Sequence, residues 1–455
     1  MLPGHSLGDS LAIAGGLLAL LSTLYPSLIY YLAKNKPPCD TDWRECPKLS
    51  LVIAAYDEPL DLLRDLLISL KQLACKPREV ILAWDGGDRR EVEQVLGEAL
   101  RDSNIVYKLV YNSKPRGKAA ALNDALRHAH GDYIAVIDID DRPCCKDYFH
   151  YLSVKPGAIG LWKPRWNKGS KLQEAASALI EYGSRILYSA RCRLKLPLLF
   201  LGSGTILHRE VIDDVGLWSE DIILEDVEYG LRLVGKGYRL LLSEDAATFV
   251  GVPPSYTSLR KQQARWCKGA SQLLVRRIGV ILGSRHISLI EKLELIVYLA
   301  QYLVSSLWVL IIPLSVIVGA SPRLIDLIGF MLIILLGIGG APIMEILREK
   351  GYSMLKAMRV SGGAAALSAS MTPVILWASL QGLIERRGRL GEKTPKRRED
   401  EGPQLPKLIP ELTYSFLSLY AVFLALLRGC VLSPLILGML GIAPLYTIIR
   451  YWHEL

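Results

Sequence analysis

The sequence of 455 residues lacks the cysteine and histidine patterns that indicate a structural metal site. Its eight cysteines include no Cys-x-x-Cys pair and no Cys/His spacing of the zinc-binding type, which predicts reduced, mostly buried thiols. The first apolar stretch is preceded by no basic region and followed by no small-residue cleavage site. We therefore interpret it as a retained membrane span and not as a signal peptide.

Charged residues are missing from six long segments, which lie at 10–33, 295–320, 327–344, 360–384, 412–427 and 429–449. Uncharged segments of this length are typical of membrane-spanning helices, and the mean hydropathy of +0.26 is high for a soluble protein. Residues 34–290 have an ordinary globular composition instead. The sequence therefore predicts a soluble domain of about 250 residues between membrane segments.

The basic residues predict the orientation of this domain. Lys34 and Lys36 follow the first span, and the segments 260–277 and 386–398 are also basic. Since Lys and Arg concentrate in short loops on the cytoplasmic side of a membrane, we expect the soluble domain to face the cytoplasm. Ionisable residues are nearly absent from the spans, which argues against a transporter or channel with a nucleotide-sensing domain.

Short apolar runs alternate with helical periodicity in the first part of the soluble domain. The runs are "LSLVIAA" (49–55), "EVILAW" (79–84), "IVYKLVY" (105–111) and "DYIAVID" (132–138), and they are separated by the helical segments 60–72, 89–101 and 117–129. This alternation predicts an α/β fold with a Rossmann-like, mostly parallel sheet. An α-helical transmembrane region with interfacial helices completes the expected architecture.

Carboxylates follow three of the four predicted strands, at Asp57, Glu58, Asp85, Asp138, Asp140 and Asp141. Ligands bind beyond the carboxyl ends of parallel strands, so these side chains are candidates for one site. Asp138 and Asp140 would point to the same side of an extended strand, as ligands of one hard divalent cation must. A lone Asp-x-Asp is more often a turn, and it is the neighbouring carboxylates that favour a metal site here.

Several further motifs give the chain a family resemblance. "AAYDEP", "AWDGG", "GKAAALNDAL" (117–126), "DID", "GSGTILHREVIDDVG" (202–216), "LEDVE" (224–228) and "QQARW" occur in this order. Together they resemble the family 2 glycosyltransferases, in particular the membrane-integrated, cellulose-synthase-like branch with a GT-A catalytic domain. One departure is Leu224, where that branch often has Thr, and this change concerns the acceptor side and not the chemistry.

The resemblance implies roles for individual residues. The donor-binding candidates are Asp57, Glu58, Asp85, Lys118, Asp138, Gln262 and Arg265. Asp138 and Asp140 are expected to hold Mg²⁺ or Mn²⁺, which would neutralise a leaving diphosphate. Gly202, Glu225 and Trp266 are the acceptor-side candidates.

Asp226 is the expected catalytic base, because sugar transfer needs a carboxylate that takes the proton of the incoming hydroxyl. Taken alone, Glu225 and Asp226 are equally well explained as acids in the first turn of a helix. The Gln-x-x-Arg-Trp segment downstream favours the catalytic interpretation.

The segment 256–283 is predicted to form an amphipathic helix along the cytoplasmic membrane surface. Leu259, Trp266, Ala270 and Leu273 share its apolar stripe. Gln262 and Arg265 could then reach the diphosphate, while Trp266 offers a flat face to an acceptor sugar. A second interpretation, in which Trp266 and the basic residues only anchor the helix in anionic lipid, is compatible with the first.

The expected layout begins with a transmembrane helix at 7–33 and the GT-A domain at 34–252. An interface helix at 253–290 carries the "QQARW" motif, and two transmembrane helices occupy 291–348. An interfacial or re-entrant helix and a basic, gating-like loop fill 349–410, because the uncharged stretch 360–384 lies between two basic segments, although a sixth crossing is the alternative. Two transmembrane helices at 411–452 bring the number of spans to about five.

The expected function is that of an inverting membrane glycosyltransferase. It would move a hexose from a UDP- or GDP-linked donor to a lipid-linked glycan or lipid-phosphate acceptor. A processive polysaccharide synthase is the alternative, but about five spans leave few helices to enclose a polymer. The expected partners are a nucleotide sugar, a lipid-linked acceptor and membrane lipids, with no nucleic acid.

Overall fold

A computed structural model describes residues 6–385 and 405–454 of the chain. Its eight strands are β1 (Leu49–Tyr56), β2 (Glu79–Asp85), β3 (Val106–Asn112), β4 (Tyr133–Val136), β5 (Arg142–Pro143), β6 (Gly157–Arg165), β7 (Thr205–His208) and β8 (Leu241–Gly251). They form one sheet in the order β3-β2-β1-β4-β7-β6-β8-β5. The strands β3, β2, β1 and β4 are parallel, whereas β7 runs antiparallel to both of its neighbours. The expected α/β fold with a mostly parallel sheet is confirmed.

The helices of the soluble domain are α2 (Leu60–Lys71), α3 (Arg89–Ala99), α4 (Lys118–Leu126), α5 (Tyr148–Leu152), α6 (Lys171–Ser184), α7 (Arg191–Arg193), α8 (Arg209–Val215) and α9 (Glu225–Gly235), with a π-helix at Arg185–Ala190. They cover both faces of the sheet, because alternate side chains of each strand point to opposite sides. Leu51 and Ile53 of β1 pack in the core with α2, α3 and α5, while Val52 packs in the core with α4, α8 and α9.

The described residues contain five helices that are long and apolar enough to cross a membrane. They are α1 (Leu7–Lys34), α12 (Leu289–Ile317), α13 (Pro322–Glu349), α16 (Ile409–Leu427) and α17 (Ser433–Arg450). The uncharged stretch 360–384 forms α14 (Met354–Ser370) and α15 (Thr372–Ile384), which meet at an angle of 49°. Such a bent pair is either a broken span or a re-entrant segment. The expected gating-like segment "EKTPK" (392–396) lies outside the described residues.

The Gln-x-x-Arg-Trp segment lies in α10 (Tyr256–Arg276), which is followed by the short α11 (Ile278–Gly283). The predicted helix over 256–283 is interrupted at Arg277, whose φ of −119° and ψ of 8° are not helical, so that the segment forms two helices. Leu259, Ala270 and Leu273 are buried as expected for one apolar stripe. At Leu273 this stripe packs against other helices of the protein and not against a membrane surface, since Leu273 lies in a core with residues of α9 and α12.

Four of the cysteines depart from the prediction of reduced thiols. Cys39 is bonded to Cys192, and Cys46 is bonded to Cys75. The partners are 153 and 29 residues apart in the chain, so no local spacing indicates either bond. Both disulfides tie the linker between α1 and β1 to the soluble domain. They restrict the unfolded chain and so stabilise this attachment.

The close contact between α10 and α15 depends on Gly382. A Cβ atom on this residue would lie 2.1 Å from the backbone oxygen of Lys268. We expect Gly382→Ala to force the two helices apart and to lower the free energy of unfolding by about 1–3 kcal/mol, as other overpacking changes do.

The matched control is Gly362→Ala in α14, where an added Cβ would meet no atom within 4 Å. This variant should keep its stability or gain up to about 1 kcal/mol from helix propensity. Thermal unfolding in detergent measures both variants. Equal melting temperatures for the two would contradict the proposed contact.

Candidate active site

A lysine ammonium group stands among three carboxylates beyond the parallel strands. Lys118 is the first residue of α4, and its Nζ atom lies 2.7 Å from Asp138 Oδ1 and 4.0 Å from Glu225 Oε1. Asp138 follows β4, while Glu225 and Asp226 open α9. The two halves of the sheet therefore each contribute acids to one cluster.

Gly202 closes the cluster from the loop that precedes β7. Its φ of +79° lies in the left-handed region, and a Cβ atom there would come within 2.9 Å of Asp226 Oδ2 and 3.3 Å of Lys118 Nζ. Glycine is required here for both reasons. The neighbouring Ser203 accepts a hydrogen bond from the Asp138 backbone N–H at its Oγ and one from Trp162 Nε1 at its carbonyl oxygen. The loop, the metal-motif residue Asp138 and strand β6 are thus held together.

Burial and charge shift the pKa values of the cluster. Burial and, to a smaller extent, the adjacent charge of Asp226 together raise the pKa of Glu225 to about 7, while Lys118 and Arg265 oppose the rise. Burial also raises the pKa of Asp226, again against Lys118 and Arg265. Burial alone would lower the pKa of Lys118, but Asp138, Glu225 and Asp226 together raise it. The ammonium group stays charged, and the two acids of α9 hold protons more tightly than usual.

Asp85 and Asp57 form a second group at the ends of β2 and β1. The buried carboxylate of Asp85 accepts hydrogen bonds from Asn112 Nδ2 over 3.0 Å and from the Arg116 backbone N–H over 3.2 Å. Asp57 is exposed, has a left-handed φ of 43°, and donates its backbone N–H to the carbonyl oxygen of Asp85. The half-buried Glu58 follows it. Asp85 therefore holds the loop between β3 and α4 that leads to Lys118.

The geometry expected for Asp138 and Asp140 is wrong. The strand ends at Val136, and Ile139 and Asp140 lie in a turn that is closed by a hydrogen bond from the Asp141 N–H to the Asp138 carbonyl oxygen. The two carboxylates therefore do not project side by side from an extended strand. Asp138 meets Lys118, whereas Asp140 Oδ2 lies 3.2 Å from where a Cβ on Gly251 would stand.

Helix α10 brings unpaired polar atoms toward this region. Arg265 influences both acids of α9 electrostatically, which places its guanidinium near them. Within the described part of the chain, Arg265 Nε and Gln262 Oε1 are buried without a hydrogen-bond partner. Buried polar atoms of this kind are costly unless a ligand satisfies them. Trp266 is partly buried on the same helix.

The Leu224 departure has a packing explanation. A Cβ atom on Gly269 of α10 would lie 2.4 Å from Leu224 Cγ, so the leucine fills the contact between α10 and the start of α9. Gln272 strengthens this contact, because its Oε1 accepts a hydrogen bond from the Ile223 N–H over 3.0 Å. The acids of α9 are therefore positioned directly by the helix that carries Arg265.

The sequence-based predictions missed Ser203, Trp162 and Tyr188. Tyr188 lies in the π-helix, and its buried hydroxyl has no hydrogen-bond partner among the described residues. Burial raises its pKa well above the usual value, and the charge of Asp226 contributes to the rise. A "GSG" motif indicates Ser203, but no local pattern distinguishes this π-helix from an α-helix or links Tyr188 to Asp226.

Two family models match the chain. The model described as glycosyl transferase family 2 matches residues 50–143, and the model described as glycosyl transferase family group 2 matches residues 161–341. The first covers β1 to β5, and the second continues from β6 through α10 and α12 into α13. Most of the soluble domain and its junction with the membrane helices therefore have the pattern of this family.

Relatives with known names agree with these matches. A probable glycosyltransferase of Sulfolobus acidocaldarius is 26% identical over 450 residues, which cover 95% of this chain and 96% of the relative. A poly-beta-1,6-N-acetyl-D-glucosamine synthase of Staphylococcus aureus is 28% identical over 296 residues, which cover 63% of this chain and 68% of the relative. A mannosyltransferase of Pyrobaculum calidifontis, solved with GDP-Man and Mn²⁺, is 18% identical, has a TM-score of 0.55, and covers 83% of this chain and 99% of its own.

The structural likeness shows that the soluble domain has the GT-A fold. The chain belongs to the family 2 glycosyltransferases, and it adds helices long and apolar enough to cross a membrane to that catalytic domain.

The raised pKa values predict the pH dependence of transfer. A base must be ionised to accept a proton, so kcat/KM should fall as the pH is lowered through the raised pKa of the acidic pair. The midpoint of this fall, the acidic limb of the pH profile, should lie well above the ordinary carboxyl pKa of about 4 and close to the pKa of about 7 of Glu225. Initial rates of nucleotide release between pH 5 and pH 9 measure it.

Glu225→Gln removes one of the two repelling charges, so Asp226 should ionise more easily and the limb should move to lower pH. The exposed Glu210 serves as the control, and Glu210→Gln should leave the limb in place. An unchanged limb in Glu225→Gln would show that this pair does not set the pH dependence.

Proposed function

We propose that the protein is an inverting membrane glycosyltransferase that moves a hexose from a nucleotide-diphosphate sugar to a lipid-linked glycan or a lipid phosphate. The observation that carries this proposal is the cluster of Lys118, Asp138, Glu225 and Asp226 around Gly202. The cluster provides a buried acid with a raised pKa beside a fixed positive charge, which are the groups that a displacement at a sugar carbon needs.

Asp226 is the catalytic base in this proposal. Its Oδ2 atom faces the space beside Gly202, while its Oδ1 atom accepts the Val227 N–H over 2.7 Å and so fixes the carboxylate. Oδ2 takes the proton of the acceptor hydroxyl as the hydroxyl oxygen bonds to the anomeric carbon. The bond from that carbon to the diphosphate oxygen breaks, and the electron pair leaves with the diphosphate. Attack from the opposite side inverts the anomeric centre.

Arg265 and Gln262 bind the donor diphosphate in this account. Their orphaned buried atoms, Nε and Oε1, have no partner among the described residues. A guanidinium group forms charge-assisted hydrogen bonds with phosphate oxygens, and these bonds strengthen as negative charge develops on the leaving group. Trp266 follows Arg265 on α10 and offers an aromatic face to the acceptor.

The carboxylate ligands that the turn at Asp138 and Asp140 offers are of the kind that Mg²⁺ or Mn²⁺ binds. Both candidate ligands are carboxylates, which hard divalent cations prefer. No group of three metal-binding side chains occurs in residues 6–385 and 405–454, so phosphate oxygens of the donor would complete the coordination. Asp138 Oδ1 also lies 2.7 Å from Lys118 Nζ, so the ammonium group and a bound ion would share the negative charge of this carboxylate. A bound ion would neutralise charge on the diphosphate.

The acceptor is proposed to reach the site from the membrane. Helix α10 packs on both α12 and α15, so the residues that contact donor and acceptor are attached directly to the membrane region. The described residues contain five candidate spans, or six if α14 and α15 form one, and these leave few helices to enclose a polymer. A processive synthase is the second candidate, because one relative at 28% identity is a poly-beta-1,6-N-acetyl-D-glucosamine synthase.

The catalytic domain is proposed to face the cytoplasm, where nucleotide sugars are made. The basic segments that flank the membrane helices support this orientation.

The test is a panel of nucleotide sugars offered to the purified protein in detergent with Mg²⁺ or Mn²⁺ and a polyprenyl phosphate acceptor. We expect one donor to release its nucleotide and to yield a lipid carrying one or a few sugars, as identified by mass spectrometry. Saturating EDTA should abolish turnover, because the diphosphate then lacks its counter-ion. A long polymer would favour the second candidate, and wild-type turnover in EDTA would contradict the proposed metal.

A further inference from the structure

A cavity of about 270 Å³ lies where α6 of the soluble domain meets α14 and α17. Basic side chains from all three helices line it, namely Lys171, Lys356, Arg359 and Arg450. Its remaining lining includes Glu174 and Tyr446. The cavity shares no residue with the candidate active site, and it opens on the side of the membrane region that carries the soluble domain, since α6 belongs to that domain.

The cavity has an excess of positive charge. Lys356 Nζ lies 3.0 Å from Glu174 Oε1 and 4.4 Å from the centre of the Tyr352 ring, so its charge is partly compensated. In the part of the chain that the structure describes, Lys171, Arg359 and Arg450 form no ion pair with a carboxylate. Three cations thus line one concave surface, and the carboxylate among its lining residues, Glu174, is already paired with Lys356. Such an arrangement favours an anionic ligand.

One large apolar side chain, that of Leu355, lines the same cavity, and further exposed apolar residues are sequence neighbours of its basic lining residues. Met354, Leu355 and Met358 alternate with Lys356 and Arg359 along α14, and Ile449 precedes Arg450 on α17. Each of these four apolar residues is more than half exposed. Exposed apolar side chains of this size are unfavourable in water, but they are typical of the level where lipid headgroups meet acyl chains.

We propose that this cavity binds the phosphate headgroup of an anionic membrane lipid. Arg359 and Arg450 donate hydrogen bonds to the phosphate oxygens, Lys171 adds charge, and the acyl chains lie along Leu355, Met358 and Ile449. The apolar border distinguishes a lipid from a soluble phosphate or a nucleotide sugar, neither of which has a surface that would cover it. The site goes beyond the proposed transfer reaction and does not depend on it.

Bound lipid would hold the soluble domain at a fixed height above the membrane. The cavity is formed by one helix of the soluble domain and two helices of the membrane region, and a headgroup that contacts Lys171 and Arg450 together joins the two parts. Glu454 already caps the start of α6 from beyond α17, because its carboxylate accepts the Leu172 backbone N–H over 3.2 Å. The lipid would reinforce a junction that the chain itself makes.

The experiment is native mass spectrometry of the full-length protein, released from detergent with phosphatidylglycerol, with phosphatidylcholine, or with phosphatidylglycerol plus excess glycerol phosphate. We expect phosphatidylglycerol to bind more tightly than phosphatidylcholine and to resist competition. A basic side chain near an anionic surface is worth about 1 kcal/mol, or about fivefold in affinity, so the double variant Arg359→Gln/Arg450→Gln should bind phosphatidylglycerol about 25-fold more weakly.

The matched control is Arg323→Gln, because Arg323 is exposed at the opposite end of α13 from α14. It should retain wild-type lipid binding, and the melting temperatures of all variants without lipid should agree. Lys171→Gln, which alters only the soluble domain, should weaken binding about fivefold. Wild-type affinity in the double variant would overturn the proposal, and so would displacement of phosphatidylglycerol by glycerol phosphate.

Discussion

The ion pairing of the half-buried ammonium group of Lys118 is the interaction on which the candidate site depends. Asp138 follows β4 whereas Glu225 and Asp226 open α9, and three carboxylates could not lie this close in a partly buried site without a cation. Lys118 can occupy this position because α4 begins at the end of the parallel sheet and because Gly202 leaves space beside the ammonium group. One charge therefore joins the half of the domain that matches the first family model to the half that matches the second. Lys118 opposes the rise in the pKa values of the two acids of α9, but burial still leaves both values raised.

The second constraint is the attachment of α10 to the membrane region. Lys268 Nζ donates a hydrogen bond to Glu385 Oε1 beyond α15 over 2.9 Å, and Arg260 Nε lies 2.8 Å from Glu411 Oε1 of α16. Ion pairs with little solvent exposure are costly to break, because each partner would be left as an uncompensated charge. The helix that carries Arg265 is therefore held by membrane helices on one side and by the acids of α9 on the other. A change in the packing of the membrane helices would move the proposed donor-binding residues.

Much of this arrangement could be predicted from the sequence. The first four strands and their helices follow from periodicity, and the carboxylates gather at one edge because parallel strands end together. The partner of Asp138 could not be predicted, since Lys118 is adjacent to it only after the sheet forms. Asp140 lies in a turn and not in the expected strand, because β4 ends at Val136. The composition of the sequence does not indicate that the strand ends there. Long-range pairs such as Cys39–Cys192 leave no periodic signal either.

The central claim is that the cluster around Lys118 performs the transfer, with Asp226 as its base. Asp226→Asn tests it most directly, because the amide keeps the shape of the side chain but cannot accept a proton. The account predicts a donor affinity by calorimetry that equals that of the wild type, with transfer slower by about 100-fold to 10,000-fold. Asp213→Asn, at an exposed acid of α8, is the control and should change neither quantity. Wild-type transfer by Asp226→Asn, or a loss of donor affinity in parallel with transfer, would contradict the claim.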